Sequence, residues 1–330
     1  AGTVFDGIKA GGRIEFDLPD ARQYTSFWWA GESRPDSWGF VLSPAQGRGL
    51  RARLQAGETL RVQARVDARF YEGTFEVVEA FIPGETAEEV LLVSHLCHPK
   101  PGAHDNASGA ATLLESAVKL QRLIAAGQLP SQRHGIRFIW PPEMTGTFAY
   151  LQQRAGEPAG LTSIVAGLNL DMVGADQNQT GGIWELVSLP WAGASFADHL
   201  LSILREPFME GLRHRETPFS AGSDHYILSD PTVGIPAPMI IHWPDKFYHT
   251  SADTPEKVSP DSLACSGALA AAYAYWVASA GEAEARWLAH AMLSRFTASA
   301  ATDASSAVEV VRAADEAERS TRWRCYLDLS

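Results

Sequence analysis

Hydrophobic residues in the middle of the chain fall into short continuous runs that alternate with helical patterns. VLLVSHL, GIRFIW, IVAGLNL and PAPMIIHW are nearly continuous apolar segments, as expected for strands buried on both faces of a sheet. Between them lie stretches with helical periodicity, the clearest being ASGAATLLESAVKLQRLIAAG, which ends at Gly127, and residues 259–280. Strands alternating with helices predict an α/β domain over residues 86–282, with a mostly parallel mixed sheet flanked by helices.

The first part of the chain has a different pattern, in which short β-type segments are separated by glycine and proline. In TLRVQARVDARF every second residue from Leu60 to Phe70 is apolar, which is the period of a half-buried strand. RIEFDL, WGFVL and TFEVVEAFI also predict strands. We therefore expect a small β-rich domain over residues 1–85. Residues 283–330 are helix-prone and charged, and predict a C-terminal helical extension used for packing or for assembly of a homo-oligomer.

The composition narrows the classes of partner. The 330 residues carry a formal net charge of −12, which argues against nucleic acid because such a partner needs a basic face. No apolar run approaches the roughly 20 residues that span a bilayer, and the first residues do not resemble a signal peptide, so no membrane partner is expected. Three widely spaced cysteines fit a reducing compartment better than a disulfide framework, which favours a cytoplasmic location.

Five polar side chains with metal-binding chemistry follow predicted strands or precede predicted helices. Because the carboxyl ends of parallel strands meet at one edge of a sheet, we expect these side chains to converge there. Imidazole nitrogens and carboxylate oxygens are the ligands that zinc prefers. Taken singly, each has a simpler explanation, such as a helix N-cap, so the prediction of a metal site rests on all five together. They are His98, Asp105, Glu143, Asp171 and His249.

Several segments resemble the zinc aminopeptidases of the M28 family, and more closely their bacterial aminopeptidase-like relatives with a C-H-P motif. PGAHDNASG is similar to the family pattern P-G-A-x-D-N-A-S-G, NLDMVG to N-x-D-M-x-G, and YHTSADT to Y-H-T-x-x-D-T. GSDHYIL followed by VGIPAP resembles the family's S-D-H stretch and its G-I-P. These matches follow the family's order and cover about residues 90–258.

The resemblance implies a zinc exopeptidase-like fold in which the early β-rich domain forms a lid over the site. It also implies two zinc ions per chain, with Asp105 bridging them. One ion would also bind Asp171 and the upstream histidine, and the other Glu143 and His249, with the pairing of the terminal ligands left open. The implied activity is hydrolysis of an amide next to a free amino terminus, in a peptide or small amide, through a metal-bound hydroxide.

The resemblance also implies three residues that do not bind the metal themselves but orient the side chains that do. These are Asp253, four residues after His249, and the neighbouring Asp224 and His225.

The upstream histidine ligand is the first departure from the family pattern. The family's strand-end His-x-Asp maps onto His95-Leu96-Cys97, in which case Cys97 replaces an orienting aspartate. His98 lies in the C-H-P motif of the closer relatives and is favoured, with His95 as the alternative ligand.

The second departure concerns the general base. The family carries two adjacent glutamates, a base followed by a metal ligand, whereas this chain has Pro142-Glu143. Either Glu143 is the base and the second ion lacks a ligand, or Glu143 is the ligand and another group, such as His104 or His225, takes the proton.

Two other functions fit the same residues. The first is a glutaminyl-cyclase-like acyl transfer on a single zinc, against which the additional histidine at position 98 argues. The second is a metal-stabilised binding protein without catalytic activity, which would explain the missing second glutamate.

Overall fold

A mixed sheet is the main element of the fold. The computed structural model describes residues 18–24, 39–69, 71–158 and 160–313. The order of the sheet is β1-β3-β2-β4-β7-β5-β6, for strands β1 (Val78–Ile82), β2 (Glu89–Val93), β3 (Gly135–Trp140), β4 (Ile164–Leu170), β5 (Ile183–Val187), β6 (His214–Thr217) and β7 (Met239–Trp243). β3, β2, β4 and β7 are parallel, whereas β1 runs antiparallel to β3 and β5 antiparallel to β7. The predicted α/β fold with a mostly parallel mixed sheet is confirmed.

Two helices of the described ranges agree with helical patterns given for the α/β domain. The patterns over 107–127 and 259–280 correspond to α2 and α7 of the set given below. No helix in these ranges is both long enough and apolar enough to cross a bilayer. The helices are α1 (Pro44–Gln55), α2 (Gly109–Ala125), α3 (Thr145–Ala155), α4 (Gln177–Thr180), α5 (Phe196–Leu204), α6 (His225–Leu228), α7 (Pro260–Ser279) and α8 (Glu282–Ala313), with 3-10 turns at Leu161–Ser163, Trp191–Gly193, Glu206–Phe208 and Pro255–Lys257 and a π-helical turn at Ala103–Ser108.

The central strands are buried on both faces, as their continuous apolar sequences predict. All residues of β2 are buried, and β4 is buried except at Val165. Alternate residues of a strand face opposite sides, so both faces must be covered by helices. On one face, α3 and α6 contribute to an apolar cluster with the strands. Its buried members are Leu91, Val93, Ile139, Tyr150, Leu151, Ile164, Leu228, Ile235 and Ala237.

Four parallel strands bring their carboxyl ends to one edge of the sheet. Val93 of β2 is paired with Ile139 of β3 and with Asn169 of β4, and Leu170 of β4 is paired with Ile240 of β7. This register aligns the strand ends, so the loops after β2, β3, β4 and β7 leave the sheet together. The candidate ligands of the sequence analysis lie on these four loops.

The predicted strands between residues 39 and 77 are wrong. Residues 58–69 and 71–77 have no regular secondary structure, and Val62 is 78% exposed. An alternating pattern marks side chains that suit a half-buried strand, but a strand also needs a neighbour for its backbone hydrogen bonds, and the described residues provide none. The chain after WGFVL instead begins α1, at a capping box formed by Ser43 and Gln46.

The other two predicted N-terminal strands have different outcomes. TFEVVEAFI does contain a strand, β1, but that strand joins the central sheet. Almost all of RIEFDL lies outside the described residues. A lid domain over residues 1–85 stays a prediction.

The chain divides into two compact units between Ser279 and Ala280. The first contains the sheet and helices α1 to α7. The second contains α8, which agrees with the helical pattern predicted after residue 282 as far as Ala313.

Candidate metal centre

Six side chains from the four strand-end loops converge into two adjoining clusters of potential metal ligands. Within each cluster, one ligand atom from every residue lies within 4.8 Å of the others. The five residues singled out in the sequence are brought together, and the alternative histidine lies with them. The first cluster is His95, Glu143 and Asp171, and the second cluster is His98, Asp105 and His249.

Asp105 contacts both clusters through different oxygens. Its Oδ1 lies 3.4 Å from Nε2 of His95, and its Oδ2 lies 3.0 Å from Nε2 of His249 and 3.6 Å from Nε2 of His98. On the far side of His95, Oδ1 of Asp171 is 3.4 Å from the same Nε2. Asp105 therefore has the position of a carboxylate shared between two sites.

Both histidines of the loop after β2 belong to the centre, one in each cluster. Nδ1 of His95 lies 3.0 Å from the carbonyl oxygen of Cys97, and a proton placed on Nδ1 by this hydrogen bond leaves the lone pair of Nε2 facing the cluster. A backbone carbonyl, and not a carboxylate, is thus the hydrogen-bond partner of Nδ1. The sequence presented these histidines as alternatives because they are three residues apart on one loop.

The structure groups the terminal ligands whose pairing the family resemblance left open. Glu143 lies with His95 and Asp171, and His98 lies beside His249. The loop after β3 carries one glutamate, and the second cluster contains two imidazoles and one carboxylate.

Asp253 holds Asp105 through the backbone. Its Oδ1 accepts a hydrogen bond from the amide of His104 at 2.8 Å, and its Oδ2 accepts one from the amide of Asp105 at 3.0 Å. Gly102 makes this turn sterically possible, because a Cβ there would lie 1.9 Å from the carbonyl oxygen of Asp105.

Asp224 and His225 contact backbone and hydroxyl groups rather than the clustered side chains. Oδ1 of Asp224 accepts hydrogen bonds from the amide of Met144 and the hydroxyl of Thr147, both at 2.7 Å. It therefore fixes the start of α3, directly after Glu143. Nε2 of His225 is paired with the carbonyl of Ser220 at 2.8 Å. Both residues are predicted from the sequence to orient metal ligands, and of the two Asp224 contacts the residue that follows Glu143.

His104 is unsuited to the role of a substitute base. It is fully buried, with Nδ1 2.7 Å from Oδ2 of Asp245 and Nε2 2.7 Å from the carbonyl oxygen of Met172. Both ring nitrogens are occupied by acceptors, which leaves none to take a proton from a water.

Two further residues of the centre were not predicted from the sequence. Asn106 is buried and hydrogen-bonds to the ends of β2 and β4, and only its place in the HDN triplet pointed to it. Tyr24 packs its ring against His98 and His249, and no spacing in the sequence relates it to them.

The centre concentrates negative charge in a buried space. Burial opposes ionisation of Asp105, but the imidazoles of His249 and His95 outweigh it and hold its pKa well below the usual range. Burial likewise disfavours a charge on His95, yet the carboxylates of Asp171 and Asp105 raise its pKa overall. Burial, and then the charge of Asp171, raise the pKa of Glu143 to about 8. The site therefore favours a bound positive charge.

The donor set fits zinc. Two of its buried ligand atoms, Nε2 of His98 and Oδ1 of Asp171, have no hydrogen-bond partner within the described ranges. Buried polar atoms in native proteins are normally satisfied by protein, water or an ion, and these two face the other ligands. Three imidazoles and three carboxylates provide the nitrogen and oxygen donors typical of zinc sites.

Comparison with protein families and curated proteins finds two matches. A family model described as "Domain of unknown function (DUF4910)" matches residues 8–277. A Clostridium acetobutylicum protein, described as a polysaccharide biosynthesis protein with an aminopeptidase-like domain, is 28% identical over 201 residues, which are 60% of this chain and 42% of that protein. The chain thus spans less than half the length of this relative.

Solved structures with a similar fold include peptidases. A Clostridium acetobutylicum peptidase has a TM-score of 0.60 at 23% identity, covering 79% of this chain and 55% of its own. The zinc aminopeptidase BSAP from Bacillus subtilis has a TM-score of 0.51 at 22% identity, covering 62% and 50%. The aminopeptidase from Aneurinibacillus sp. strain AM-1 has a TM-score of 0.51 at 24% identity, covering 73% and 57%.

At these identities the similarity establishes the fold alone, whereas the family model spans most of the sequence. The chain therefore belongs to the DUF4910 family.

Proposed function

We propose that the chain is a zinc-dependent hydrolase of the aminopeptidase type, related to the M28 family, that cleaves an amide next to a free amino terminus. The observation that carries this proposal is the position of Asp105, whose two carboxylate oxygens face different clusters. The aminopeptidase-like relative and the peptidases of similar fold support it.

Each proposed ion has three donors without Glu143, because Asp105 of the second cluster supplies one oxygen to each ion. The first ion would take His95, Asp171 and Oδ1 of Asp105, and the second ion His98, His249 and Oδ2 of Asp105. Two zinc ions in these positions would polarise the amide carbonyl and make the attacking water more acidic.

We assign Glu143 the role of general base. Its carboxylate is not required to complete either donor set, so it is available to exchange a proton with the attacking water. Glu143 takes a proton from the water while the bond between the water oxygen and the carbonyl carbon forms. It then gives that proton to the leaving nitrogen as the carbon–nitrogen bond breaks. The products are a carboxylic acid and an amine, and Glu143 returns to its starting state.

A cleft beside the second cluster offers room for the substrate. It has a volume of about 970 Å³ and is lined by His98 and Asp253 together with apolar residues that include Leu96, Pro99 and Val258. A peptide or small amide with an apolar group next to the scissile bond suits this lining.

The proposal is tested with variants of two candidate ligands. Zinc-loaded wild type is expected to hold two ions and to hydrolyse members of a panel of aminoacyl p-nitroanilides. Asp105→Ala and Asp171→Ala should each lose zinc and at least about a hundredfold in kcat/KM, since removing one ligand disrupts the site. Asp67→Ala, at a position whose side chain is 90% exposed, is the matched control and should change neither property.

The other outcomes contradict the proposal or favour one of the two alternative functions. Unchanged zinc content and unchanged hydrolysis in Asp105→Ala would refute the metal centre. Full zinc loading of the wild type without any turnover would favour a binding protein. One zinc per chain, with ammonia released from peptides with N-terminal glutamine, would favour the acyl transferase.

A further inference from the structure

The two clusters of the candidate metal centre differ in the donor atoms that they offer. The first has one imidazole and two carboxylates of its own, and the second has two imidazoles and one carboxylate. Asp105 of the second cluster also directs Oδ1 to the first, where it lies 3.4 Å from Nε2 of His95. A cation in the first cluster would thus have one nitrogen donor among oxygens, whereas a cation in the second would have two nitrogens and one oxygen. His98 causes this difference, because without it each cluster would contain one imidazole.

The imidazole of His98 is fixed with a free nitrogen inside the second cluster. Its Nε2 lies 3.6 Å from Oδ2 of Asp105, is buried, and has no hydrogen-bond partner among the described residues. Its ring packs edge to face on His249 and on Tyr24, with centroids 5.1 and 5.2 Å away. The amide of Tyr24 in turn donates to the carbonyl of His249 at 2.9 Å. A buried nitrogen held in this way is available as a ligand for a cation.

The surroundings of the clusters differ in the same direction. Beside the second cluster, the ring of Tyr248 stacks on His249, with centroids 3.8 Å apart and planes at 19°. Beside the first cluster, the buried carboxylate of Asp224 accepts from the amide of Met144, directly after Glu143. The other oxygen of Asp224 has no hydrogen-bond partner in the ranges that the structure describes. Aromatic rings therefore surround the nitrogen-rich cluster, and a further carboxylate lies close to the oxygen-rich one.

We propose that the two clusters select different divalent cations, with zinc in the second cluster and a harder, oxygen-preferring ion such as manganese in the first. Zinc binds most protein sites more tightly than manganese does, but imidazole donors favour zinc whereas carboxylate donors also suit manganese. Zinc in limited supply therefore goes to the second cluster, and zinc in excess fills both. The inference rests on the metal centre of the proposed function, but not on its catalytic activity.

A competition between the two metals tests this selection. Metal-free protein is mixed with one equivalent of zinc and an excess of manganese and then crystallised, and anomalous scattering is measured at both absorption edges. We expect a zinc peak bound by His98 and His249 and a manganese peak bound by His95 and Asp171. The preference for zinc over manganese should be at least about tenfold greater in the second cluster than in the first.

A variant of His98 tests the cause of the selection. His98→Asp leaves one imidazole in each cluster, so zinc and manganese should each be shared about equally between the two. Competition with a chromophoric chelator should show that the tighter zinc affinity falls at least about tenfold. His290→Asp makes the same replacement at an exposed position of α8, and should keep the wild-type distribution and affinity. Near-ultraviolet circular dichroism checks the fold of both variants, and the wild-type distribution tests the proposal without either.

Failure of the selection and failure of the hydrolase function give different results. Equal sharing of zinc between the clusters of the wild type would overturn the selection, even if the protein hydrolyses aminoacyl anilides. Wild-type sorting of the metals in His98→Asp would overturn the role of His98. Sorting of the two metals without any hydrolysis would support the selection and contradict the hydrolase. Absence of an ion from both clusters would overturn both.

Discussion

Glu143 is held through its backbone and through the residue that follows it. Its amide donates to Sγ of Cys97 at 3.0 Å, and the amide of Met144 donates to Asp224 at 2.7 Å. Its carboxylate is left to interact with the cluster, where burial and the charge of Asp171 raise its pKa to about 8. A carboxylate that is fixed in place beside the candidate ligands suits general base catalysis.

Replacement of this carboxylate by an amide separates a base from a ligand. In Glu143→Gln we expect two zinc ions to remain while kcat falls about a thousandfold, because the amide keeps the shape but cannot take a proton. Zinc content and kcat are measured on the same preparation. Glu115→Gln, on the exposed face of α2, is the control and should match wild type. Loss of one zinc from Glu143→Gln would show that Glu143 is a ligand and contradict its assignment as base.

Some residues of the centre could be predicted from the sequence, and others could not. Asp171 and Glu143 follow continuous apolar strands, and this position alone places them at the ligand-binding edge. His95 and His98 follow the same strand, so the sequence could not assign them to separate clusters. Tyr24 reaches the centre through backbone pairing with a distant loop, and backbone pairing of this kind leaves no signal in the residue types.

At the scale of elements, the turn Ala103–Ser108 connects the loop after β2 to α2. Asn106 anchors this turn beside Asp105. Its Oδ1 accepts from the amides of Met172 and Gly109 at 3.0 and 3.1 Å, and its Nδ2 lies 3.1 to 3.4 Å from three acceptors. One side chain thus ties the ends of β2 and β4 to the start of α2. The placement of the shared carboxylate depends on it.

Removal of this anchor should destabilise the fold. We expect Asn106→Ala to lower the free energy of unfolding by about 3 kcal/mol, because buried amides and carbonyls lose their partners. Asn178→Ala, at an exposed position of α4, is the control and should stay within about 0.5 kcal/mol of wild type. Urea unfolding of the zinc-free proteins measures both. A change below about 1 kcal/mol for Asn106→Ala would contradict its anchoring role.

The sequence predicted the buried elements better than the exposed ones. β2, β3, β4 and β7 are continuous apolar runs, and such runs are stable only where both faces of a strand are covered. The pattern over residues 59–70 has the right period for a strand, but pairing depends on a neighbour that local sequence does not specify. The start of α1 carries a signal in the sequence, the capping box of Ser43 and Gln46, which lies inside the segment predicted to be β-rich.

At the scale of the whole molecule, Glu143 of the candidate metal centre links stability to pH and, under the proposed function, to zinc. In the zinc-free folded protein, Glu143 keeps its proton up to about pH 8, whereas in the unfolded chain it releases it near its ordinary pKa of 4.5. Between these values the folded state binds more protons, so rising pH favours unfolding. A bound cation would offset the negative charge of the Glu143 carboxylate, so the folded state would no longer favour the protonated form.

Zinc-free wild type should therefore lose stability relative to Glu143→Gln as the pH rises from about 5.5 to about 8, since the variant has no carboxylate to ionise. The comparison uses urea unfolding of both proteins in the presence of a chelator, at each pH. With zinc bound, the difference should shrink. A difference between the two proteins that is the same at both pH values would mean that Glu143 does not titrate in this range.

The central claim is that Asp105 bridges two zinc ions, and anomalous scattering at the zinc edge from zinc-loaded crystals tests it most directly. We expect two peaks a few ångströms apart, both touching Asp105, one also bound by His95 and Asp171 and the other by His98 and His249. A single peak, or two peaks of which neither is bound by Asp105, would contradict the account.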